Sequence, residues 1–519
     1  MTQATIPSAF TKIVATIGPG SESPETVRKL IEAGVAIFRF NFSHGDFAAH
    51  EKRLDTVRHI SAEMDRPIAC LGDLQGPKIR VGKVESPGIL VAPGQTVVFR
   101  NDLDVARIEK GPSGEPLAIL PTTYAPIVRE VQPGHKVLIN DGAIRLLALP
   151  RERDGELRCT VTVGGGGLIT SGKGINLPQS AISAPAITDR DWECVGWAVE
   201  NQFDFLALSF VRTAAEVIEL KEKLAGLCPS SRHADPKRES ATIPVIAKIE
   251  KPQAIENIEA IIQAADGIMV ARGDLGVEMD IARVPVVQKQ LIAAAHNWGK
   301  PVIVATQMLE SMIENSSPTR AEASDVANAV FDGADAVMLS AETATGKWPV
   351  LTVETMRRIA SVAEERITEV STHHEAPQQL VQSRYQTAAL AHGAWQIARD
   401  IGATAVICWS EAGGTARYLS QNEFDIPILA YSSSMRACRR MAILRGVTAV
   451  CMKTPDGPAP LASWNEQADR FLVSRRLAKP GDCVVIVCGR PLGVAKSVNL
   501  VAIHKVGDGE SGLRTHRDL

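Results

Sequence analysis

Residues Pro244–Asp274 read PVIAKIEKPQAIENIEAIIQAADGIMVARGD, and the fold can be read outward from them. Two short apolar runs, PVIAKIE and GIMVARGD, flank one amphipathic stretch, QAIENIEAIIQAA. That order of patterns predicts strand, helix, strand. Each run closes in charged residues, Lys248 and Glu250 on the first, Arg272 and Asp274 on the second. Side chains alternate along a strand, so Lys248 and Glu250 point the same way.

The same unit repeats on both sides. Toward the N-terminus stand TKIVATIG (Thr11–Gly18), the helix PETVRKLIEAG ending at Gly34, VAIFRFNF, a helix from about Asp46 to Met64, and PIACLGDL. Toward the C-terminus the alternation runs through PVIVATQ and AVMLSAET to the helical PVLTVETMRRIASVAEER. Between Pro77 and Gly174 helical periodicity is absent and short Val-, Gly- and Pro-rich runs predict an inserted all-β domain. Three strands before that insertion and five after it make eight, which predicts an α/β chain built on a (β/α)8 TIM barrel. The expected organisation is a catalytic barrel over 1–76 and 175–370, a β-rich lid over 77–174, a polar linker over 371–384, and a C-terminal α/β domain over 385–519. The loop SSRHADPKRES, around 230–240, reads as a solvated surface excursion.

Composition narrows the function. Apolar residues at 45% and charged residues at 22% describe an ordinary globular chain of 519 residues, long enough for about three domains. A net charge of −3 and 4% aromatics argue against nucleic-acid and membrane partners. Nine cysteines without a C-x-x-C pair argue against a disulfide framework or a zinc ribbon. The N-terminus lacks a secretory pattern and no run approaches a membrane span, so the expected compartment is the cytoplasm.

In a (β/α)8 barrel, chemistry belongs at the C-terminal ends of the strands. There the sequence places Arg39, Asn41 and Ser43, then Asp73, Lys248 with Glu250, Arg272 with Asp274, Thr306 with Gln307, and Ser340 with Glu342. Three acids at one mouth, Asp73, Glu250 and Asp274, call for a cation, and oxygen ligands suit Mg2+ or Mn2+ better than zinc. Arg39 and Lys248 supply positive charge for an anionic substrate such as a phosphate. The Gly273–Asp274 step lets a carboxylate approach backbone N–H groups.

The motifs TKIVATIGP, RFNFSHG, GDLQGPKIR, GINLP, LSFVR, IAKIEKPQAIENIEAI, DGIMVARGDLGVE, ATQMLESMI and PTRAEASDVANAVFDGADAVMLSAETA resemble the pyruvate kinase family nearly end to end. The resemblance implies a Mg2+- or Mn2+-dependent enzyme that moves the phosphoryl group of phosphoenolpyruvate to ADP, giving pyruvate and ATP. It implies Glu250 and Asp274 as metal ligands and Lys248 as the group that stabilises the transferring phosphoryl and the enolate charge. Arg39 would bind the phosphate, and Thr306 with Gly273 and Asp274 the carboxylate. Thr306 and Ser340 would stand beside the water that protonates the enolate. Nucleotide contacts would come from Arg39, Asn41, His44, Arg80 and Arg190, the last replacing the usual lysine. A homotetramer and a sugar-phosphate or nucleotide effector are implied as well.

Two departures stand out. Many relatives hold K+ on the equivalents of Asn41, Ser43, Asp73 and the carbonyl of Leu74, and read GPEIR where this chain reads GPKIR. Lys78 is therefore expected to put its ammonium where K+ would sit, making K+ unnecessary; in the competing placement Lys78 points to solvent. The C-terminal loop SEAGGTAR resembles an effector-phosphate cradle through Ser410, Gly413, Gly414 and Thr415, but Glu411 adds a negative charge to it. Two rival readings share the same residues: a metal-dependent enolate lyase on a barrel, and an inactive sensor of phosphoenolpyruvate or a sugar phosphate.

Overall fold

The computed structural model describes residues 9–227, 242–370, 378–382, 384–457 and 459–508. The surface excursion expected around 230–240 and most of the linker, 371–377 and 383, lie outside them; Gln378–Gln382 is helical. Eight parallel strands form a closed barrel: β1 (Lys12–Thr16), β2 (Val35–Asn41), β3 (Ala69–Asp73), β4 (Phe205–Leu208), β5 (Val245–Ile249), β6 (Gly267–Ala271), β7 (Val302–Ala305) and β8 (Ala336–Leu339). β8 closes on β1 with Lys12 opposite Ala336.

Period-two alternation sorts these strands onto two faces. Ile13, Ala15, Phe38, Phe40, Val245, Ala247, Ile249, Ile268 and Val270 belong to the core that packs against the surrounding helices. The alternate residues Val14, Ile37, Leu71, Ala207, Ile246, Met269, Ile303 and Met338 point inward and belong to a second cluster that also takes in residues of the C-terminal domain. Continuing that inner face to the strand ends gives Thr16, Arg39, Asp73, Ser209, Lys248 and Ser340. The pleat thus aims one polar ring at the barrel mouth.

Two details differ from the sequence expectation. The helix over QAIENIEAIIQAA is two helices, Pro252–Glu256 and Ile258–Ala264, broken at Asn257, whose amide donates to the carbonyls of Gln253 and Arg212. The run GIMVARGD leaves the strand at Ala271, and Arg272–Glu278 is helical. Gly273 N–H there turns to the Thr306 hydroxyl at 2.7 Å instead of a ladder partner.

The inserted domain has a seven-stranded sheet, a two-stranded one and its own core around Val97, Phe99, Val137, Leu146 and Cys159. Its last pair, Ile175–Asn176 on Ile139–Leu138, carries the sheet two residues past the expected boundary at 174. The C-terminal sheet holds β9 (Ala405–Trp409), β10 (Ile428–Ser432), β11 (Val447–Cys451), β12 (Cys483–Gly489) and β13 (Val498–Lys505). Their order is β11-β10-β9-β12-β13, with only β13 antiparallel. It is tied to the barrel by Lys12 Nζ on the Val447 carbonyl (2.7 Å), Gln421 on Asp335 (2.9 Å) and Arg439 on Asp204 (2.8 Å). The eight cysteines among the described residues are free. No described helix is long and apolar enough to cross a membrane.

Candidate active site

Lys248 is the hub of the barrel mouth. Its ammonium lies 2.7 Å from Ser209 Oγ, 2.9 Å from Glu250 Oε1 and 3.2 Å from Asp73 Oδ1. Three acceptors meet the three donors an ammonium has. Burial works against the charged form, but Asp73 and Glu250 outweigh it and hold the Lys248 pKa above the ordinary lysine range.

Arg39 is the second fixed cation. Its Nε donates to Asp73 Oδ2 at 2.6 Å and its Nη1 to Thr16 Oγ1 at 3.1 Å. Asp73 is 1% exposed; burial alone would push its carboxyl up, yet Lys248 and Arg39 keep it below the usual carboxylate range. The expected three-acid cluster is therefore already neutralised at Asp73 by protein cations.

Glu250 and Asp274 remain. Glu250 Oε2 accepts the Phe210 N–H at 2.7 Å. Asp274 is raised to about 6, first by burial and then by the Glu250 charge, against the pull of Lys248 and Lys78. This mutual repulsion is what a cation between the two carboxylates would relieve. Among the described residues no cluster of three or more His, Cys, Asp or Glu is placed to hold a metal. A pair of carboxylates suits Mg2+, which keeps water and substrate oxygens as its other ligands, and not a closed zinc site.

Thr306 carries backbone strain. Its φ is +71° and that of Gln307 +54°, a region a β-branched residue rarely occupies. The Thr306 hydroxyl donates to Ala305 O and accepts from Gly273 N, both at 2.7 Å. A Cβ at Gly273 would stand 3.2 Å from that hydroxyl, so glycine permits the close approach. The Gly273 N–H, expected to face a substrate carboxylate, is thus engaged with Thr306. Arg272 Nη2 donates to the Thr306 carbonyl at 3.0 Å, which assigns this strand-end cation to holding the loop. The backbone N–H of Ser340 is held by Glu342 Oε2 at 2.7 Å.

The expected monovalent-cation pocket is occupied by other donors. Asp73 is bonded to Arg39 and Lys248, the Leu74 carbonyl accepts Ser209 Oγ–H at 2.7 Å, and Asn41 Oδ1 accepts the Ser43 N–H at 3.2 Å. Lys78 is exposed at the start of the insertion. The ammonium on Asp73 is that of Lys248, and the charge of Lys78 acts on Asp274. Lys78 lies past Gly76–Pro77, where the chain has already left the barrel.

The nucleotide candidates sit nearby but not together. His44 is exposed on the turn after β2. Arg190 lies over the Phe47 ring at 4.3 Å and pairs with Glu193. Arg80 Nη1 donates to Gly172 O at 2.9 Å, beside the isolated bridge Arg80–Gly174 that joins the entry and exit segments of the insertion. In the C-terminal loop Glu411 is turned inward, accepting from Trp409 Nε1 (2.9 Å), Ser433 N (3.3 Å) and the Ser433 hydroxyl. Ser410 Oγ accepts from Ala416 N (3.1 Å), Thr415 is buried, and Gly413, with φ of +84°, leads into a helix beginning at Gly414.

The sequence reading passed over Thr16, Ser209, Phe210 and Asp191. The first two sit on the inner face of β1 and just beyond β4, where extending the period-two pattern would have found them. Asp191 completes the capping box of the helix Asp189–Glu200 by accepting from Thr188, its N-cap, and also accepts the N–H groups of Gln75 (2.9 Å) and Gly76 (3.3 Å). Only the tertiary structure brings those partners together.

Comparison with known proteins gives the same picture. The family model described as the pyruvate kinase barrel domain matches residues 9–353, and that of the pyruvate kinase alpha/beta domain residues 388–504. The chain is 40% identical over 500 residues to a pyruvate kinase of Mycobacterium tuberculosis, covering 96% of this chain and 98% of that one. It is 38% identical over 506 residues to a pyruvate kinase of Thermococcus litoralis, covering 96% and 99%. A crystal structure of a pyruvate kinase from Cryptosporidium parvum superposes with a TM-score of 0.83 at 32% identity, covering 96% of each chain. An eight-stranded barrel with this polar mouth, matched in sequence and in fold almost end to end, places the chain in the pyruvate kinase family.

Proposed function

We propose that this phosphotransferase moves the phosphoryl group of phosphoenolpyruvate to ADP at the barrel mouth, with Mg2+ or Mn2+ on Glu250 and Asp274 and without need of K+. The observation that carries the reading is the Lys248 ammonium, buried and held on three acceptors beside two carboxylates. In the reaction the bond from phosphorus to the enol oxygen breaks, one to a terminal oxygen of ADP forms, and the enolate takes a proton at its methylene carbon. Lys248 would meet the charge that develops on the phosphoryl and enolate oxygens, where fixed positive charge favours the transition state. Arg39 would hold the phosphate through Nη2, which has no hydrogen bond among the described residues. Thr306 would orient the carboxylate, and with Ser340 the water that delivers the proton. The divalent ion, when bound, supplies charge that neutralises the substrate oxygens. The insertion would close over the mouth and keep water from the phosphoryl group.

K+ independence is supported by the oxygens of Asp73 and Leu74, which already have protein donors, and by the added charge of Lys78. His44, Arg80 and Arg190 would meet the nucleotide once the insertion closes. A homotetramer is supported by exposed apolar side chains on the outer barrel helices, among them Val286 and Val362, and mass photometry tests it. The inward Glu411 supports a C-terminal loop that takes no phosphate effector. Phosphorus NMR on phosphoenolpyruvate, ADP and Mg2+ tests the reaction. Growth of the ATP γ-phosphate signal is expected; free phosphate without ATP, or no change, would point to a lyase or a sensor.

A further inference from the structure

Resting on that reading, we propose that the Ser209–Phe210 step after β4 is a positioning device, which holds the transferring lysine through Ser209 and a metal-ligating carboxylate through Phe210. Ser209 is 3% exposed. Its Oγ lies 2.7 Å from Lys248 Nζ and 2.7 Å from the Leu74 carbonyl. A carbonyl can only accept, and the hydroxyl has one proton, so that proton goes to Leu74 and a lone pair faces Lys248. The Leu74 carbonyl at 2.7 Å is the near acceptor and Asp73 Oδ1 at 3.5 Å the far one, and with the proton on either the hydroxyl turns a lone pair to Lys248. The next residue, Phe210, has φ of +55°, a costly conformation for an aromatic residue. That backbone aims its N–H at Glu250 Oε2, 2.7 Å away.

The same step seats the chain that leaves the barrel for the insertion. At Gly76 a Cβ would stand 2.8 Å from Phe210 Cδ2 and 3.3 Å from Ser209 Cβ, and φ is +69°. The N–H groups of Gln75 and Gly76 are tied to Asp191. Lys248 is therefore referenced, through one hydroxyl, to the segment from which the insertion departs. Asp73 and Glu250 supply the counter-charge that keeps the ammonium charged, whereas Ser209 gives it a fixed direction without adding charge.

The test is steady-state kinetics on full-length Ser209→Ala, with wild type beside it and thermal melting of both. Loss of one bond to a charged group predicts a fall in kcat of about ten- to hundredfold, with KM for phosphoenolpyruvate within about threefold. Ser209→Thr, which keeps the hydroxyl, should recover most of kcat, and Ser209→Val, its equal in volume, should not. Should the alanine variant not fold, Ser209→Cys keeps the size, weakens the acceptor and is expected to show the same kcat loss. Unchanged kcat in the folded alanine or cysteine variant, or equal kcat in Thr and Val, would overturn the positioning role. An inactive wild type would instead overturn the reaction itself, so the two failures are distinct.

Discussion

Replacing His296 with glutamine should weaken the join between the barrel and the C-terminal domain, and only on the acid side of about pH 10. His296 closes the helix Val284–Asn297 and lies 3.6 Å from Asp335 of the barrel and 3.4 Å from Glu423 of the C-terminal domain. Burial opposes its charge, but the two carboxylates dominate and raise it from 6.5 to about 10. A raised histidine contributes its full stability below its unfolded pKa of about 6.5 and loses it as pH climbs to 10. The difference corresponds to roughly 5 kcal/mol at most. With contacts beyond 3.3 Å and a side chain 19% exposed, about 2 kcal/mol is the figure expected. At about 2.1 cal/mol/K per residue, that moves a transition confined to the C-terminal domain by about 8 °C and one of the whole chain by about 2 °C. Lys12 and Lys300, both lowered to about 8 chiefly by burial, make the wild type gain stability between pH 8 and 10.5, against the histidine. The quantity to record is therefore the melting difference between wild type and His296→Gln at pH 6, 7, 8, 9 and 10. It should be largest at pH 6 and vanish near pH 10. A difference that stays flat across this range would refute the charged clamp and leave a packing role.

Lys78→Glu should reduce activity in K+-free buffer and make added K+ stimulatory, because it exchanges a cation near the mouth for an anion; rates at increasing K+ check it. Mg2+ should raise the melting temperature of wild type and fail to do so in Glu250→Gln, as read by differential scanning fluorimetry. Thr306→Gly should be more stable than Thr306→Ala by about 1 kcal/mol, since only glycine relaxes φ of +71°, while both lose kcat. Urea melts of the two variants measure that difference.

Much of the fold was legible because barrel strands are short, apolar and bounded by turn residues, with charges at one end only. Arg39, Asp73, Lys248 and Ser340 were legible because each stands at the C-terminal end of a predicted strand. A period-two count along β1 and β4 leads further, to Thr16 and Ser209, whose hydroxyl side chains are easy to overlook beside charged ones. The placement of Lys78 was not legible, since local sequence does not say whether an exposed stem folds back into a pocket. Nor was the engagement of Gly273 by Thr306: it depends on the positive φ of Thr306, just past the end of β7. The inward turn of Glu411 depends on Ser433, more than twenty residues away, which no local pattern connects to it.

Phosphoryl transfer at this mouth, with no cation beyond the divalent ion and those of the chain, is tested by the initial rate of pyruvate formation from phosphoenolpyruvate and ADP with Mg2+ in tetramethylammonium buffer, with and without K+. Substantial and equal rates are expected. A rate that appears only with K+ would contradict the account of the cation pocket, and no turnover by the folded protein in either buffer would contradict the assignment of the reaction.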